Sequence, residues 1–122
     1  MRINLENCKA IVTGGSRGLG RSIVLELAKC GAQVAFTYSN NDQEADKTVQ
    51  MVRDLTGQKV IAIKASATDR MGLLESVKKL MQEWKSVDVL INNAGVSEFL
   101  PLALMEEAEW DRTLDTNLKG VY

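Results

Sequence analysis

The apolar run Ala10-Ile11-Val12 leads straight into Thr13-Gly14-Gly15-Ser16-Arg17-Gly18-Leu19-Gly20, and no other stretch restricts the fold as strongly. Glycines set between an apolar run and a helical pattern describe a tight strand-to-helix turn. Gly14, Gly18 and Gly20 put no side chain between the backbone and an approaching ligand, and the following helix offers unpaired N–H groups with a partial positive charge. Such a turn suits a phosphate, and the diphosphate of a dinucleotide is the ligand it points to. The spacing is Gly-x-x-x-Gly-x-Gly, which also fits an ordinary structural turn, so the flanks have to decide. Lys9 to Thr13 reads as a short buried strand, and Leu19, Ile23, Val24 and Leu27 recur at helical spacing until Gly31 ends the helix.

At 122 residues the chain is long enough for one modest domain, a dinucleotide-binding unit spanning residues 1–122. Its net charge is -1 with the two signs interleaved, which argues against nucleic acid or an anionic membrane surface as a partner. The start, Met1-Arg2-Ile3-Asn4-Leu5-Glu6-Asn7, has no leader-like apolar core, and no apolar run approaches a bilayer's thickness. A cytoplasmic location is expected. Cys8 and Cys30 do not form a Cys-x-x-Cys pair and histidine is absent, so the sequence predicts two reduced, packed thiols and no metal site.

Three further apolar segments, Gln33 to Tyr38, Lys59 to Lys64 and Val87 to Ile91, read as strands, each preceded by a helix. Ala45, Val49 and Val52 make one helical stripe, ending at Gly57 as a C-cap, and Leu73, Val77, Leu80 and Trp84 make another. Both stripes are assigned to the core. The βαβ rhythm predicts an α/β fold, a doubly wound Rossmann-type parallel sheet whose ligand lies beyond the carboxyl ends of the strands. The near-continuous apolar character of Val87-Asp88-Val89-Leu90-Ile91 predicts a strand covered on both faces and paired on both sides, yet only a helical segment from about Glu106 follows it. The expectation is a sheet truncated after its fourth strand and the start of the next helix.

Three motifs in order, Thr13-Gly14-x-x-x-Gly18-x-Gly20, Asn92-Asn93-Ala94-Gly95 and Asn117-Leu118-Lys119-Gly120, resemble those of the short-chain dehydrogenase/reductases, with phrasing most similar to the 3-oxoacyl-acyl-carrier-protein reductases. The resemblance covers the amino-terminal half of such an enzyme. It implies that Ser16 and the amides around Gly18 and Leu19 contact the cofactor phosphates, and that Asn92, Ala94 and Gly95 line the riboses, while Asn93 braces the sheet. A plain strand-ending turn at Asn92 to Gly95 is the alternative.

Cofactor choice is set at the end of the second strand, which reads Thr37-Tyr38-Ser39-Asn40 and offers no acid for a ribose 2′-hydroxyl. Tyr38, Ser39 and Asn40 are therefore assigned to the cofactor site. With Arg17 able to pair with a 2′-phosphate, NADP is favoured over NAD, although Arg17 also reads as a solvated surface cation. After the third strand, Ser66 stands where the family usually has an aspartate on the adenine amine, and Ser66 with Ala67 completes that side of the site. Asp69 fits a helix N-cap better than a substitute acid.

The resemblance implies hydride transfer between NADPH and a carbonyl or acyl substrate, with a tyrosine whose pKa a lysine lowers handling the proton. Asn117 matches the asparagine of that catalytic set, though alone it also reads as a helix asparagine bonding its own backbone. No Tyr-x-x-x-Lys pair occurs: Asp42 lies four residues after Tyr38, and Tyr122 is the last residue. At most residual reductase activity is expected from these residues alone. Three readings stay open: the cofactor half of an oxidoreductase, a non-catalytic nucleotide-binding module that needs a partner chain, and a scaffold that binds nothing. The uncovered fourth strand, with Trp110, Leu114 and Leu118 in the last helix, predicts a homo-oligomer or a self-associating chain.

Overall fold

In β1 (Lys9–Val12) and β2 (Gln33–Tyr38) seven of the ten residues are buried, as strands with a helix on each face require. These and the other elements come from a computed structural model that describes residues 3–122. β1 pairs on one side with β2, Val12 opposite Phe36, and on the other with β4 (Val89–Ile91), Ile11 opposite Leu90. β3 (Ile61–Lys64) adds beyond β2, giving a parallel sheet of order β3-β2-β1-β4. The chain builds outward through β2 and β3 and then returns to the far side of β1. This reversal makes the sheet the expected Rossmann-type one, and it places the switch point between β1 and β4.

Successive strand residues point to opposite faces, so each strand divides its apolar side chains between two cores. Val12, Val34 and Phe36 meet Val24 and Ala28 of α1 (Gly18–Lys29) and Ala45 and Val52 of α2 (Asp42–Thr56). Ile11 and Ala35 meet α3 (Arg70–Trp84), of which Leu80 and Trp84 are the buried residues. The helix ends follow local chemistry. Asn41 caps α2 by accepting the Glu44 N–H at 3.1 Å, Asp69 caps α3 by accepting the Gly72 N–H at 2.9 Å, and Gly57 closes α2.

Two expectations need correction. The stripe Leu73, Val77, Leu80 and Trp84 is core only at its second half, and Val77 stays 37% exposed. The cause is β4, which pairs with β1 alone and forms the sheet edge, so the α3 face has no further layer and Leu90 is 57% exposed. β3 and β4 are also shorter than the apolar runs suggest, because pairing begins only at Ala35 opposite Ile61 and at Ala10 opposite Val89.

Beyond Pro101 a 3-10 turn (Leu102–Leu104) leads to α4 (Glu107–Leu114), whose start is tied by the Glu106 N–H donating to Glu109 at 2.6 Å. α4 runs into a π turn (Asp115–Lys119), closed by the Gly120 N–H on the Asp115 carbonyl at 2.7 Å. Trp110, Leu114 and Leu118 remain exposed. No helix among the described residues is long and apolar enough to cross a membrane.

Candidate cofactor site

The carboxyl end of β1 passes its backbone donors to its neighbours one at a time and then stops. Thr13 donates to the Ile91 carbonyl at 3.0 Å, Gly14 to the Thr37 hydroxyl at 3.3 Å, and Gly15 to the Thr37 carbonyl at 3.0 Å. From Ser16 to Gly20 the amide N–H groups have no partner among the described residues. Intrahelical bonding resumes at Arg21, which donates to the Arg17 carbonyl at 3.2 Å. A consecutive run of free donors at the start of α1, where the helix dipole is positive, is an anion site in both geometry and charge.

The three motif glycines do different jobs, which corrects the reading that all of them clear a path for the ligand. A Cβ on Gly18 would have nothing within 4 Å, and its φ of +54° is the left-handed conformation glycine adopts freely, so this residue leaves the rim open. Gly20 instead permits contact within the protein, since a Cβ there would lie 2.0 Å from the Gly14 carbonyl and 2.6 Å from the Asn93 amide. Gly14 likewise faces Ala94, and a Cβ on Gly15, which the motif did not single out, would lie 2.4 Å from that of Phe36. Helix, strand and rim can touch here only because those side chains are missing.

This turn forms one wall of an open cleft of about 780 Å³ at the switch point. The turn contributes Gly14, Ser16, Arg17, Gly18, Leu19 and Gly20. Tyr38, Ser39 and Asn40 enter from the end of β2, Ser66 and Ala67 from the end of β3, and Ala94 and Gly95 from the end of β4. Four chain segments far apart in sequence thus meet as the spacing predicts. Asn92 is exposed and does not line the cleft, because in the extended chain it points the other way from its neighbour Asn93. Arg112, Asp115 and Thr116 close the remaining side, and nothing in their local spacing had marked them.

Asn93 and Thr13 lock the two rims together. The Asn93 amide donates to the carbonyls of Thr13 at 2.9 Å and Gly14 at 3.0 Å, while the Thr13 hydroxyl accepts from the backbone N–H groups of Asn93 and Ala94, both at 3.0 Å. Asn117 lies outside the cleft lining, in the π turn, and its side chain bonds another segment instead of its own helix. It accepts from the Val96 N–H at 2.7 Å and donates to the Val96 carbonyl at 2.8 Å. Both hydrogen-bonding functions of that amide are thereby engaged, fixing the loop after β4 against the end of α4.

The end of β2 holds a carboxylate that the local sequence did not reveal. Asp42 accepts from the Tyr38 hydroxyl at 2.9 Å and pairs with Lys64 of β3 at 3.0 Å. The hydrogen bond from Lys64, aided by that from Tyr38, holds the Asp42 carboxyl below its ordinary range. Burial first, and then the hydrogen bond and charge of Asp42, raise the Tyr38 phenol above its own. Tyr38 is therefore a neutral donor to Asp42. Arg17, by contrast, is exposed and makes no ion pair among the described residues.

The comparisons with known proteins agree with this geometry. The 3-oxoacyl-[acyl-carrier-protein] reductase FabG of Staphylococcus epidermidis is 42% identical over 116 residues, which are 95% of this chain and 47% of that protein. A short-chain dehydrogenase/reductase from Serratia marcescens superposes with a TM-score of 0.88 at 38% identity, over 96% of this chain and 47% of that one. A short chain dehydrogenase from Burkholderia cenocepacia, solved in complex with NADP, gives 0.88 at 35% identity over 97% of this chain and 48% of its own. The chain thus spans about half the length of the relatives it matches. A family model described as short chain dehydrogenase matches residues 9–122, from the first strand through the π turn, and the chain belongs to that family.

Proposed function

We propose that the cleft holds NADP and that these residues form the cofactor-binding half of an oxidoreductase moving hydride between NADPH and a carbonyl substrate. The observation that carries the reading is the run of partnerless amides from Ser16 to Gly20 beside the open Gly18, at the switch point of the sheet. Those donors hold the diphosphate. Ala94 and Gly95 bound the riboses, and Ser66 with Ala67 bounds the adenine. When bound, the nicotinamide supplies or takes up the hydride. Arg17 supports the 2′-phosphate, since no carboxylate competes for it, whereas the nearby Asp42 is already paired with Lys64. A 3-oxoacyl thioester is the substrate to try first, given the reductase relatives. Two free thiols, Cys8 and Cys30, suit a cytoplasmic setting.

Proton transfer is a separate matter. Tyr38 is bonded to Asp42, which also occupies the position four residues on, so among the residues present Asn117 is the one that matches the family's catalytic set. This favours a second reading in which the 122 residues bind cofactor without turnover and need residues supplied by further chain or by a partner. Calorimetric titration with NADPH and NADH, followed by an NADPH-oxidation assay with a 3-oxoacyl thioester, tests both readings. Tight NADPH binding with negligible turnover supports the binding-half reading. No heat from either cofactor would remove the function and leave a bare scaffold, and rapid turnover would show that proton transfer has been misjudged.

A further inference from the structure

Beneath the glycine turn, Arg21 of α1 meets Glu44 and Thr48 of α2, and none of the three lines the cleft. The Arg21 guanidinium donates through Nη2 to the Ser16 carbonyl at 2.5 Å and to the Glu44 carboxylate at 2.6 Å, and through Nε to the Thr48 hydroxyl at 2.9 Å. Thr48 is fully buried, and its hydroxyl lies 3.2 Å from the Gly15 carbonyl and 3.0 Å from that of Ser16. Having received a hydrogen bond from Arg21, it gives its one proton to the carbonyls in reach, of which that of Ser16 is nearest and that of Glu44 in its own helix, at 3.3 Å, is farthest. Lys47 holds the other carboxylate oxygen of Glu44 at 2.6 Å.

A trans peptide is planar, with its C=O and N–H on opposite sides. Anchoring the Gly15 and Ser16 carbonyls toward α2 therefore turns the N–H groups of Ser16 and Arg17 the other way, and these begin the run of partnerless donors. A segment of this kind cannot lock itself, because Gly14, Gly15 and Gly18 carry no side chain to restrict their peptides. The constraint has to come from outside the turn. α1 and α2 already share an apolar contact through Val24, Ala28, Ala45 and Val52, so a polar cluster is not needed to hold the helices together.

We propose that Arg21 and Thr48 are positioning residues for the anion site, fixing the Gly15–Ser16 and Ser16–Arg17 peptide planes so that both N–H groups meet the cofactor diphosphate, with Glu44 holding Arg21. This rests on the cofactor reading above and deepens it by naming what orients the donors.

The test uses three variants of the 122-residue chain. Thr48→Val keeps the side-chain shape and removes the donor, Thr48→Ser keeps the donor, and Arg21→Met keeps the stem and removes the guanidinium. NADPH affinity is measured by calorimetry, and the Ser16 and Arg17 N–H directions by residual dipolar couplings. Thr48→Val and Arg21→Met are expected to weaken NADPH by about tenfold or more and to reorient both N–H vectors. Thr48→Ser should stay within about twofold of the parent, as rescue by the conserved hydroxyl requires. Unmoved vectors in Thr48→Val overturn the proposal, whether or not affinity falls. If Arg21→Met does not fold, the nearly isosteric Thr48→Val and Thr48→Ser pair decides alone. Should the parent chain bind no NADPH, the cofactor reading fails by itself, and the dipolar couplings still decide whether Thr48 sets the peptide planes.

Discussion

On one face of the sheet Val12, Val34 and Phe36 meet two helices, and all three are buried. On the other, Ile11 and Ala35 meet α3, while Leu90 and Val77 stay open. The strands carry apolar residues on both sides, so composition alone did not decide the difference. Cover did: β1 and β2 are interior strands, whereas β4 has one strand neighbour among the described residues. The closed face also carries the polar network under the glycine turn, so the more fully covered side of the sheet is the one that shapes the anion site.

The largest test of that contrast is Gly20→Ala, at the junction of α1 with both rims. A Cβ 2.0 Å from the Gly14 carbonyl has nowhere to go. The variant is expected to lose about 3 kcal/mol in chemical denaturation and to bind no NADPH; near-parental stability would mean that the junction is looser than described. A matched pair comes next. Val52→Ala on the closed face should cost about 2 kcal/mol, and Val77→Ala on the open face less than about 0.5 kcal/mol. Equal losses would erase the distinction between the faces.

In the 122-residue chain the open face should also drive association, since Leu90 is exposed on β4, whose one strand partner among the described residues is β1. Sedimentation velocity on Leu90→Lys is expected to show self-association weakened by about tenfold relative to the parent. A parent that stays monomeric at high concentration would remove this role for the edge.

The smallest effect is that of pH. Lys64 holds the Asp42 carboxyl low, and Lys47 with Arg21 does the same for Glu44. A carboxyl lower in the folded than in the unfolded chain gives its full stabilisation above the unfolded value, at about pH 4 to 4.5, and loses it as pH falls through the folded value. Tyr38 is raised instead, so its contribution is present below about pH 10 and disappears as pH climbs past that. Thermal melts should therefore be level from about pH 5 to 9 and fall modestly outside it. A clear drop between pH 7 and 5 would contradict this assignment of partners.

The glycine turn, the strand order and most of the cleft rim were legible because each is a local pattern, a spacing of glycines or a periodicity of apolar residues. Ser66 and Ala67 meet Gly18 and Gly95 through nothing more than parallel strands ending at one edge. What stayed hidden depends on contacts between segments. Thr48 reads as a polar residue beside an apolar stripe, and its burial follows from where α1 crosses α2. Asp42 lies past the end of β2 and is brought to Tyr38 by the first turn of α2, and Arg112 reaches the cleft from α4, whose placement no local pattern gives. The separate roles of Gly18 and Gly20 share one residue type, and only their neighbours tell them apart.

The stitch between Thr13 and Asn93 spans the one place in a doubly wound sheet where adjacent strands send their chains to opposite faces, and where the crevice would otherwise widen. Its hydrogen bonds make that crevice a jaw with a fixed gape. A visiting molecule meets walls already in register and gives up little freedom in arranging them, so its affinity reflects fit more than folding.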